Sequence, residues 1–497
     1  MNKTAVGCAL AACAVCMTAE AAGHDNFYWL GEINKASIII NSSEGLLEKD
    51  EAAEFAKGLE RVLRDGEKDG AERPGLVITF EPLLIDAAGE NVTKIHAGRS
   101  SQDMLTTCSL MEMREELLNL ADELNGLNRD LVSMAELHRD TVVPNYTNGV
   151  AAQPNSYGHY LLAYAEAFSR DSARIREYYA RLNRSPMGTT VLNGTGWPLN
   201  RERMASYLGF DDIAYNAYGA VQVYTIEHGV EAGYIASTIA LQTGSFIEDV
   251  MQQYAQPRPW MILKEGGGNT YVSSAMPQKR NPGLLNRVRT NASTILGEAA
   301  AADFRAHNIP PGMADPRSKE LQKMIRDTKK LTADFRKILE ALEINPERAR
   351  EELNLDWTAS QEIADVLMKD YGIPFRLGHH FASEMVGYAR SSGLTPMTFP
   401  YAEAQRIYRE VAAGHEGVPA ELPLDEKAFR ACLDPVSIVQ NRHTKGGPQP
   451  AEMDVMLAAA KQRNAADDAW VKTQRRRIEA SVGKLDKDFE AILSGEE

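Results

Sequence analysis

The spacing of apolar side chains between about residues 103 and 138 predicts one long helix. Apolar residues recur there at alternating steps of three and four, a mean step of 3.5, which is typical of long helices in bundles. Asp103 is the predicted N-cap, and the helix should extend roughly 50 Å at 1.5 Å per residue. The apolar seam comprises Leu110, Met113, Leu117, Leu120, Leu124, Leu127, Leu131 and Met134.

A second helix is predicted from about residue 219 to 254, where apolar side chains leave few polar faces. A helix that is apolar nearly all round is buried, here within one subunit and between subunits. Gly75 to Phe80 is the best of few candidate strands, so the chain is predicted to be all-α. Further helices are predicted at about 155–184, 284–304, 316–341, 359–371 and 451–493.

Gly- and Pro-containing stretches interrupt the helical pattern and suggest domain boundaries. They indicate three helical domains, the second of which is a central bundle of long helices. The predicted domains cover residues 23–103, 104–356 and 357–497.

Residues 1–22 are predicted to be a cleavable signal peptide. Lys3 is followed by an apolar stretch at residues 5–17, and Ala19-Glu20-Ala21 offers a cleavage site with small residues. The apolar stretch is too short to span a membrane, so no stable membrane insertion is expected after the leader is removed. The predicted location is periplasmic or secreted. A lipoprotein anchored at Cys13 and an uncleaved Ala-rich N-terminus are the alternatives.

Charge and cysteine content narrow the function classes. The formal net charge of -15 disfavours nucleic acid as a partner, so a substrate anion must be bound by local cations and dipoles.

Three of the five cysteines lie in the leader. Cys108 and Cys432 are expected to be small buried hydrophobic residues, with one disulfide bond as the alternative.

The most informative string runs from Ser273 to Pro282 and reads SSAMPQKRNP. It resembles the signature S-S-x-M-P-x-K-x-N-P of the fumarase/aspartase superfamily, in the Q-K-x-N-P form typical of the argininosuccinate lyase branch. All seven fixed positions match. Blocks from Lys94 to Asp103 and from Pro144 to Tyr164 also resemble that branch, and the likeness runs from about residue 28 to about 460. It implies a three-domain fold with a central helix bundle.

The resemblance implies an elimination in which Ser273 removes a poorly acidic proton next to a carboxylate. Lys279 and Asn281 can stabilise the serine anion, and a helix starting near Pro277 would add its positive dipole end. Gly266 to Gly268, just before the serine, are expected to form a mobile lid. The remaining implied substrate contacts are Met276, Ser100, Ser101, Gln102, Thr147 and Asn148.

Three positions depart from the branch. Ser101 stands where an arginine is usual, with Arg99 as a candidate replacement or, equally, a helix-start ion pair. Asn148 replaces a histidine and cannot transfer a proton at neutral pH. Tyr224 replaces another arginine and is a further candidate contact. These changes and the predicted export disfavour argininosuccinate as the substrate.

The preferred hypothesis is a carbon–nitrogen lyase that splits an N-substituted aspartate into fumarate and an amine. The alternatives are cleavage of a C–O bond or a lactone of a related dicarboxylate, and a non-catalytic dicarboxylate-binding protein. No metal or organic cofactor is implied. The resemblance also implies a homotetramer whose active sites combine blocks from different subunits.

Overall fold

The computed structural model describes residues 24–310, 312–313 and 318–495, and the predicted signal peptide lies outside them. The α-helices are α1 (Asn26–Ser43), α2 (Lys49–Gly66), α3 (Val77–Ala88), α4 (Ser101–Leu137), α5 (Tyr157–Leu182), α6 (Arg201–Tyr207), α7 (Tyr224–Tyr254), α8 (Gly283–Ala306), α9 (Lys319–Ala341), α10 (Pro346–Leu355), α11 (Ser360–Tyr371), α12 (Phe375–Ser392), α13 (Tyr401–Ala412), α14 (Glu426–Leu433), α15 (Pro435–Gln440) and α16 (Pro450–Ser494).

The strands form short two-stranded ladders. Three pairs are antiparallel, β1 with β2, β5 with β8 and β6 with β7, whereas β3 and β4 are parallel. Glu90–His96 and Pro396–Thr398 are 3₁₀-helices, and Gly219–Val223 is a π-helical turn that runs into α7. The strands are β1 (Val142–Thr147), β2 (Val150–Ser156), β3 (Arg184–Ser185), β4 (Asp212–Ile213), β5 (Met261–Leu263), β6 (Tyr271–Val272), β7 (Arg280–Asn281) and β8 (Leu342–Ile344).

A bundle of long helices forms the centre of the fold, as the sequence pattern predicts. Helix α5 runs antiparallel to α7. The hydroxyl of Tyr178, near the end of α5, donates to the carbonyl of His228, near the start of α7. The hydroxyl of Tyr160, near the start of α5, donates to Asp249, near the end of α7. Helices α8 and α9 pack against α7, and α9 also packs along α4. The predicted seam of α4 is buried, with Leu117, Leu120, Leu124, Leu127 and Leu131 all 0% exposed. Burying such a seam is what stabilises a long helix in water.

Helix α16 returns along the bundle towards the N-terminal helices. Arg139 near the end of α4 pairs with Asp454, and Lys35 of α1 pairs with Asp486. Residues 357–438 instead have a separate core of their own. Cys108 and Cys432 are both buried free thiols in these two cores. The domain boundaries at 103 and 356 stay a prediction, although the second core starts at Trp357.

The predicted strand from Gly75 to Phe80 is wrong, because α3 begins at Val77. Its buried residues Val77, Phe80 and Leu84 follow a helical spacing, and the Phe80 ring packs against that of Phe27 in α1. Within the residues that the structure describes, no helix combines the length and the apolar character needed to cross a membrane.

Candidate active site

The signature string forms a short β-hairpin. Strands β6 and β7 pair in antiparallel register, and the N–H of Ser273 donates to the carbonyl of Lys279 at 3.3 Å. The predicted helix start near Pro277 is wrong, because Pro277 lies in the turn of this hairpin and α8 begins at Gly283. Proline fits the first helical turn, but it fits a tight turn equally well, so its presence does not distinguish the two.

The hydroxyl oxygen of Ser273 lies at the centre of this turn. It accepts hydrogen bonds from the backbone N–H groups of Ala275, at 3.3 Å, and Met276, at 3.2 Å. Donors aimed at an oxygen stabilise its anion, so these two groups favour the deprotonated serine that a proton-abstracting base requires. The amide of Asn281 donates to the carbonyl of Tyr271 at 3.3 Å and thereby closes the base of the hairpin.

The hairpin is exposed in the single chain. The side chains of Tyr271, Val272 and Met276 are 56%, 62% and 52% exposed. Lys279 is exposed as well, and its ammonium has no ion pair among the described residues. A base that attacks a weakly acidic C–H bond works in a site from which water is excluded. Exposed apolar side chains on both sides of Ser273 therefore indicate a surface that is covered when the site works.

The glycine run before the hairpin is a loop with a fixed base. Gly266, Gly267 and Gly268 have φ values of 84°, 60° and 80°, the left-handed region that favours glycine. The side-chain amide of Asn269 donates to the carbonyl of Lys264 at 3.3 Å. The exposed glycines and the anchored base fit the predicted lid, whose movement stays a prediction.

The first substrate-binding block forms the start of α4. Ser100, and not Asp103 as predicted, is the N-cap, and its hydroxyl accepts from the Gln102 N–H and donates to the Thr190 carbonyl. Asp103 is buried, and its carboxylate accepts from the N–H groups of Ser100, Gly188 and Thr190 at 2.8, 3.0 and 2.9 Å. Burial raises the pKa of Asp103 to about 6. The pattern S-x-x-D of a capping box was the signal for this assignment.

Arg99 does not take the place of the missing arginine at the surface. Its side chain is 8% exposed, and its guanidinium donates to the side-chain oxygens of Asn34 and Ser37 on α1, both at 2.9 Å. Burial lowers its pKa to about 10. Arg99 therefore holds the N-terminal helix against the start of α4.

Gln102 and Gln222 hold the segment that follows α8. The side-chain amide of Gln102 donates to the carbonyl of Gly312 at 3.3 Å. The side-chain amide of Gln222 donates to the carbonyl of Pro310 at 3.4 Å. Gln222 also accepts from the N–H of Gly312. Ser101 is half-buried beside them. Gln222 lies in the π-helical turn, a feature that often marks functional segments but gives no clear sequence signal.

The second block is the tip of the β1–β2 hairpin. Thr147 ends β1, and the two-residue connection Asn148–Gly149 has φ values of 52° and 76°. Positive φ at both central positions defines a type I′ turn, for which Asn-Gly is the preferred pair. Asn148 thus has a conformational role in addition to its predicted substrate contact. The Asn-Gly pair was the sequence signal for this unpredicted hairpin.

Tyr146 connects the second block to the base of the serine loop. Its hydroxyl donates to a carboxylate oxygen of Glu352 at 2.6 Å and accepts from the side-chain N–H groups of Gln253 and Trp260 at 3.0 and 2.9 Å. Trp260 directly precedes β5, which leads into the glycine run, whereas Thr147 follows Tyr146 in β1. Sequence patterns did not identify Tyr146 as a site residue, because its partners are distant along the chain.

Tyr224 begins α7 directly after the π-helical turn. Its ring packs edge-on against His228 with the ring centroids 4.2 Å apart, and burial raises the pKa of its hydroxyl. This hydroxyl and both ring nitrogens of His228 have no hydrogen-bond partner among the described residues. Tyr224 therefore places a neutral aromatic side chain where the branch usually has a cation.

Helix α4 separates the predicted blocks within one chain. Ser100–Gln102 lie at its start and Thr147–Asn148 follow its end, and its 37 residues extend about 55 Å at ~1.5 Å per residue. The base of the Ser273 loop lies at the Thr147 end through the bonds of Tyr146. Tyr224 lies at the Ser100 end, beside Gln222. A single chain therefore does not assemble all predicted site residues.

Known proteins are similar to this chain over most of its length. The family model described as "Lyase" matches residues 25–297, and "Argininosuccinate lyase C-terminal" matches residues 357–440. The argininosuccinate lyase of Methanosarcina acetivorans is 26% identical over 466 residues, covering 93% of this chain and 91% of that protein. That of Methanoculleus marisnigri is 32% identical over 398 residues, covering 78% and 77%.

The structure of EDDS lyase in complex with formate is similar over 95% of this chain and 92% of that chain, with a TM-score of 0.81 and 26% identity. The chain belongs to the fumarase/aspartase superfamily, in its argininosuccinate lyase-like branch. It is a carbon–nitrogen lyase. The predicted all-α fold of this superfamily is confirmed.

The described geometry fits the chemistry of such a lyase. Elimination needs a base, donors for the carboxylate on which negative charge develops, and a closed site. Ser273 has two backbone donors on its hydroxyl oxygen. Thr147 and Asn148 offer an exposed hydroxyl and amide on a rigid turn. Ser273, the predicted base, and one set of predicted polar contacts therefore lie at the same end of the bundle.

Proposed function

We propose that this lyase cleaves the C–N bond of an N-substituted aspartate by anti elimination, releasing fumarate and an amine. Ser273 takes the proton from the carbon next to a carboxylate, and the electron pair of that C–H bond forms the double bond of fumarate. The electron pair of the C–N bond leaves with nitrogen, which takes up a proton. The observation that carries this proposal is the pair of backbone N–H groups on the hydroxyl oxygen of Ser273.

We further propose a substrate other than argininosuccinate. Two arginines that are usual in the branch are replaced here by Ser101 and Tyr224, and a histidine that could carry a proton is replaced by Asn148. The buried Arg99 does not restore the lost positive charge. Fumarate as the product is supported by a similar structure, described as an EDDS lyase variant with bound fumarate, which is 26% identical. The substrate should therefore differ from argininosuccinate in its amine part.

A fumarate-absorbance assay with a panel of N-substituted aspartates tests this proposal. Replacing Ser273 by Ala should lower turnover of an accepted substrate roughly 10²- to 10⁴-fold, the contribution of a positioned general base. Ser391→Ala is the matched control, because it removes an exposed hydroxyl near the end of α12, outside the signature string, and should retain turnover. The absence of turnover in both directions across the panel, or full activity of the Ser273→Ala variant, would contradict the proposal.

We propose that the lyase is a homotetramer with composite active sites. Helix α4, which lies between the two predicted blocks, is about 55 Å long, as its 37 residues rise ~1.5 Å each. The π-helical turn and α7 also expose an apolar stripe, with Val223, Tyr234 and Leu241 at 53%, 60% and 57% exposure. Monomeric proteins rarely leave such a stripe open, and a symmetric bundle would bury it.

Mixed oligomers test the composite site. Inactive Ser273→Ala and Gln102→Ala subunits should recover activity when they are denatured together and refolded, because these two positions lie at opposite ends of α4 and some sites then receive both intact blocks. Each variant refolded alone is the control. Failure to recover activity in mixed oligomers whose formation is verified by mass would contradict shared sites.

We also propose that the lyase works in the periplasm or outside the cell. The basic Lys3, the apolar residues 5–17 and the small residues at 19–21 support export. Intact-mass measurement of the protein from the extracytoplasmic fraction should give a chain that begins near residue 23. A lipid-modified Cys13 would instead support a lipoprotein, and an uncleaved cytoplasmic chain would contradict export.

A further inference from the structure

The predicted export cleavage site leaves a particular tripeptide at the new N-terminus. Cleavage at a site with small residues follows its last residue, so a cut directly after Ala21 makes Ala22 the first residue of the mature chain. This start lies one residue ahead of the predicted domain boundary at 23. The mature chain then begins with Ala22, Gly23 and His24, and a histidine stands third from a free α-amine.

A histidine in third place supplies the last of four nitrogen donors that can lie in one plane. The first three donors are the α-amine of Ala22 and the backbone nitrogens of Gly23 and His24, and the fourth is Nδ1 of the His24 ring. Together they close fused chelate rings around a single ion. Copper(II) favours a square plane of nitrogen donors, and it binds such a set more tightly than the other divalent first-row metals do. Neither Gly23 nor His24 is a proline, so both backbone nitrogens can be used.

His24 lies directly before the fixed start of α1. Ala22 and Gly23 precede the described residues, whereas His24 is the first of them. Asp25 is the N-cap of α1, and its carboxylate accepts from the N–H of Tyr28 at 2.9 Å. The side chain of His24 is 48% exposed, and its ring stacks on that of Tyr28 with the centroids 3.8 Å apart. A metal ion in solution can therefore reach the ring.

The Nδ1 atom of His24 has one competing partner. It lies 2.8 Å from a carboxylate oxygen of Glu115 on α4, and this hydrogen bond raises the pKa of the ring. The other carboxylate oxygen of Glu115 is buried and has no hydrogen-bond partner among the described residues. Copper(II) bound to two deprotonated backbone nitrogens carries no net charge, so Glu115 stabilises the metal-free chain and not the complex. His24 has to leave Glu115 when copper binds.

We propose that export processing creates a copper(II) site at the mature N-terminus, formed by Ala22, Gly23 and His24. This inference rests on the proposed export and is independent of the lyase reaction. On binding, the two backbone N–H protons and one proton of the terminal ammonium pass to solvent, together with the proton of His24 where the ring is charged. In the described part of the chain, no group of three or more His, Cys, Asp or Glu side chains could compete for the metal.

Titration with copper(II) in the presence of glycine, a weaker chelator, tests the site on a chain that begins at Ala22. Such a chain is released from a fusion protein by a protease that cuts directly before this residue. It should bind one ion tightly and show the visible absorption of a square-planar nitrogen complex. His24→Ala should weaken binding more than about 100-fold, because losing a ligand costs more than the 10- to 100-fold of a lost outer-shell partner. His415→Ala removes an exposed histidine from the loop after α13 and should bind as the wild type does.

Two further variants make the test specific for the N-terminus. One glycine added before Ala22 keeps every side chain and moves His24 out of third place, so tight binding should be lost. Glu115→Gln weakens the competing contact and should tighten copper binding about 10-fold, the usual weight of a hydrogen bond to a charged group. Unchanged binding in the extended chain or in His24→Ala would overturn the site. Equal or weaker binding in Glu115→Gln would overturn the proposed competition.

The intact mass of the exported chain tests the processing separately. We expect Ala22 as the first residue. A chain that begins at Gly23 has its histidine in second place, and this result would overturn the site in the natural protein. An unprocessed chain would contradict export and, with it, the natural site. A chain that begins at Ala22 and lacks tight copper binding would overturn the copper site alone and leave the proposed export intact.

Discussion

At the scale of single residues, sequence position alone did not distinguish the polar side chains that make structural contacts from those that are available to bind a substrate. Arg99 and Ser100 are adjacent in one predicted block, yet the first bonds to α1 and the second caps α4. Tyr146 has no predicted role and makes three hydrogen bonds to residues far away in sequence. Polar groups that are buried must be paired, so such contacts constrain the site strongly.

Replacing Tyr146 by Phe should lower both stability and turnover. The change leaves the buried N–H groups of Gln253 and Trp260 without their acceptor, which costs about 1–3 kcal/mol in the free energy of unfolding. The base of the Ser273 loop also loses its link to the second block. We expect kcat to fall more than KM rises. Urea unfolding and steady-state kinetics measure the two effects.

Tyr401→Phe is the control for that experiment. Tyr401 donates a single hydrogen bond to the carbonyl of Leu424 in the separate C-terminal core. Its loss should affect stability only slightly and leave kcat unchanged. Equal kinetics of Tyr146→Phe and Tyr401→Phe would show that Tyr146 does not position the site.

His228 should make the protein less stable in mild acid. Burial lowers its pKa to about 3, against about 6.5 in the unfolded chain. A histidine whose pKa is lower in the folded state stabilises the fold while its ring is neutral. Its contribution to the free energy of unfolding is therefore complete above pH 6.5 and declines as the pH falls towards 3. At pH 5 the loss is about 2 kcal/mol.

The variant His228→Phe isolates this effect. Phenylalanine keeps an aromatic ring beside Tyr224 and cannot be protonated. Melting temperatures at pH 7.5 and pH 5.0 should differ less in the variant than in the wild type. An identical decrease in both proteins would exclude His228 as a source of the acid sensitivity.

At the scale of elements, turn chemistry decides where the candidate site residues point. The Asn148–Gly149 turn adopts positive φ at both positions, so β1 and β2 present Thr147 and Asn148 at an exposed tip. The signature string similarly folds into a hairpin that surrounds the hydroxyl of Ser273 with its own backbone. Both hairpins occur in a chain whose hydrophobic pattern is almost entirely helical.

Asn148→Gly separates the conformational role of this residue from its chemical role. Glycine accepts positive φ, so the turn and the melting temperature should be preserved. Loss of the amide should raise KM for the substrate several-fold if it contacts a carboxylate. Asn148→Ala is the comparison, because alanine adds a strain of roughly 1–2 kcal/mol at this φ. Unchanged KM in Asn148→Gly would remove Asn148 from the substrate contacts.

At the scale of the whole molecule, the length of α4 and the exposed apolar stripe of α7 are the two observations that support the proposed oligomer. Helix α4, with 37 residues and about 55 Å long at ~1.5 Å per residue, separates Ser100–Gln102 from the end of the bundle where the base of the Ser273 loop lies. Assembly and catalysis should therefore be lost together.

Leu241→Asp should dissociate the oligomer and abolish turnover. The change places a charge in the middle of the apolar stripe, where desolvation would cost several kcal/mol per interface. Light scattering after size-exclusion chromatography measures the mass, and circular dichroism checks that the helices remain. Lys427→Gln, an exposed polar change on α14 and away from α7, should leave the mass unchanged. A fully active monomer would contradict the composite site.

The amino-acid sequence by itself determined the helical class, the long seam of α4 and the reactive string from Ser273 to Pro282, because periodicity and motifs are local properties. Tertiary structure decided that this string is a hairpin, that Arg99 faces α1 and that Tyr146 connects two predicted site segments. These outcomes depend on hydrogen bonds and burial between residues far apart in sequence, whose free energies are set only when the helices pack.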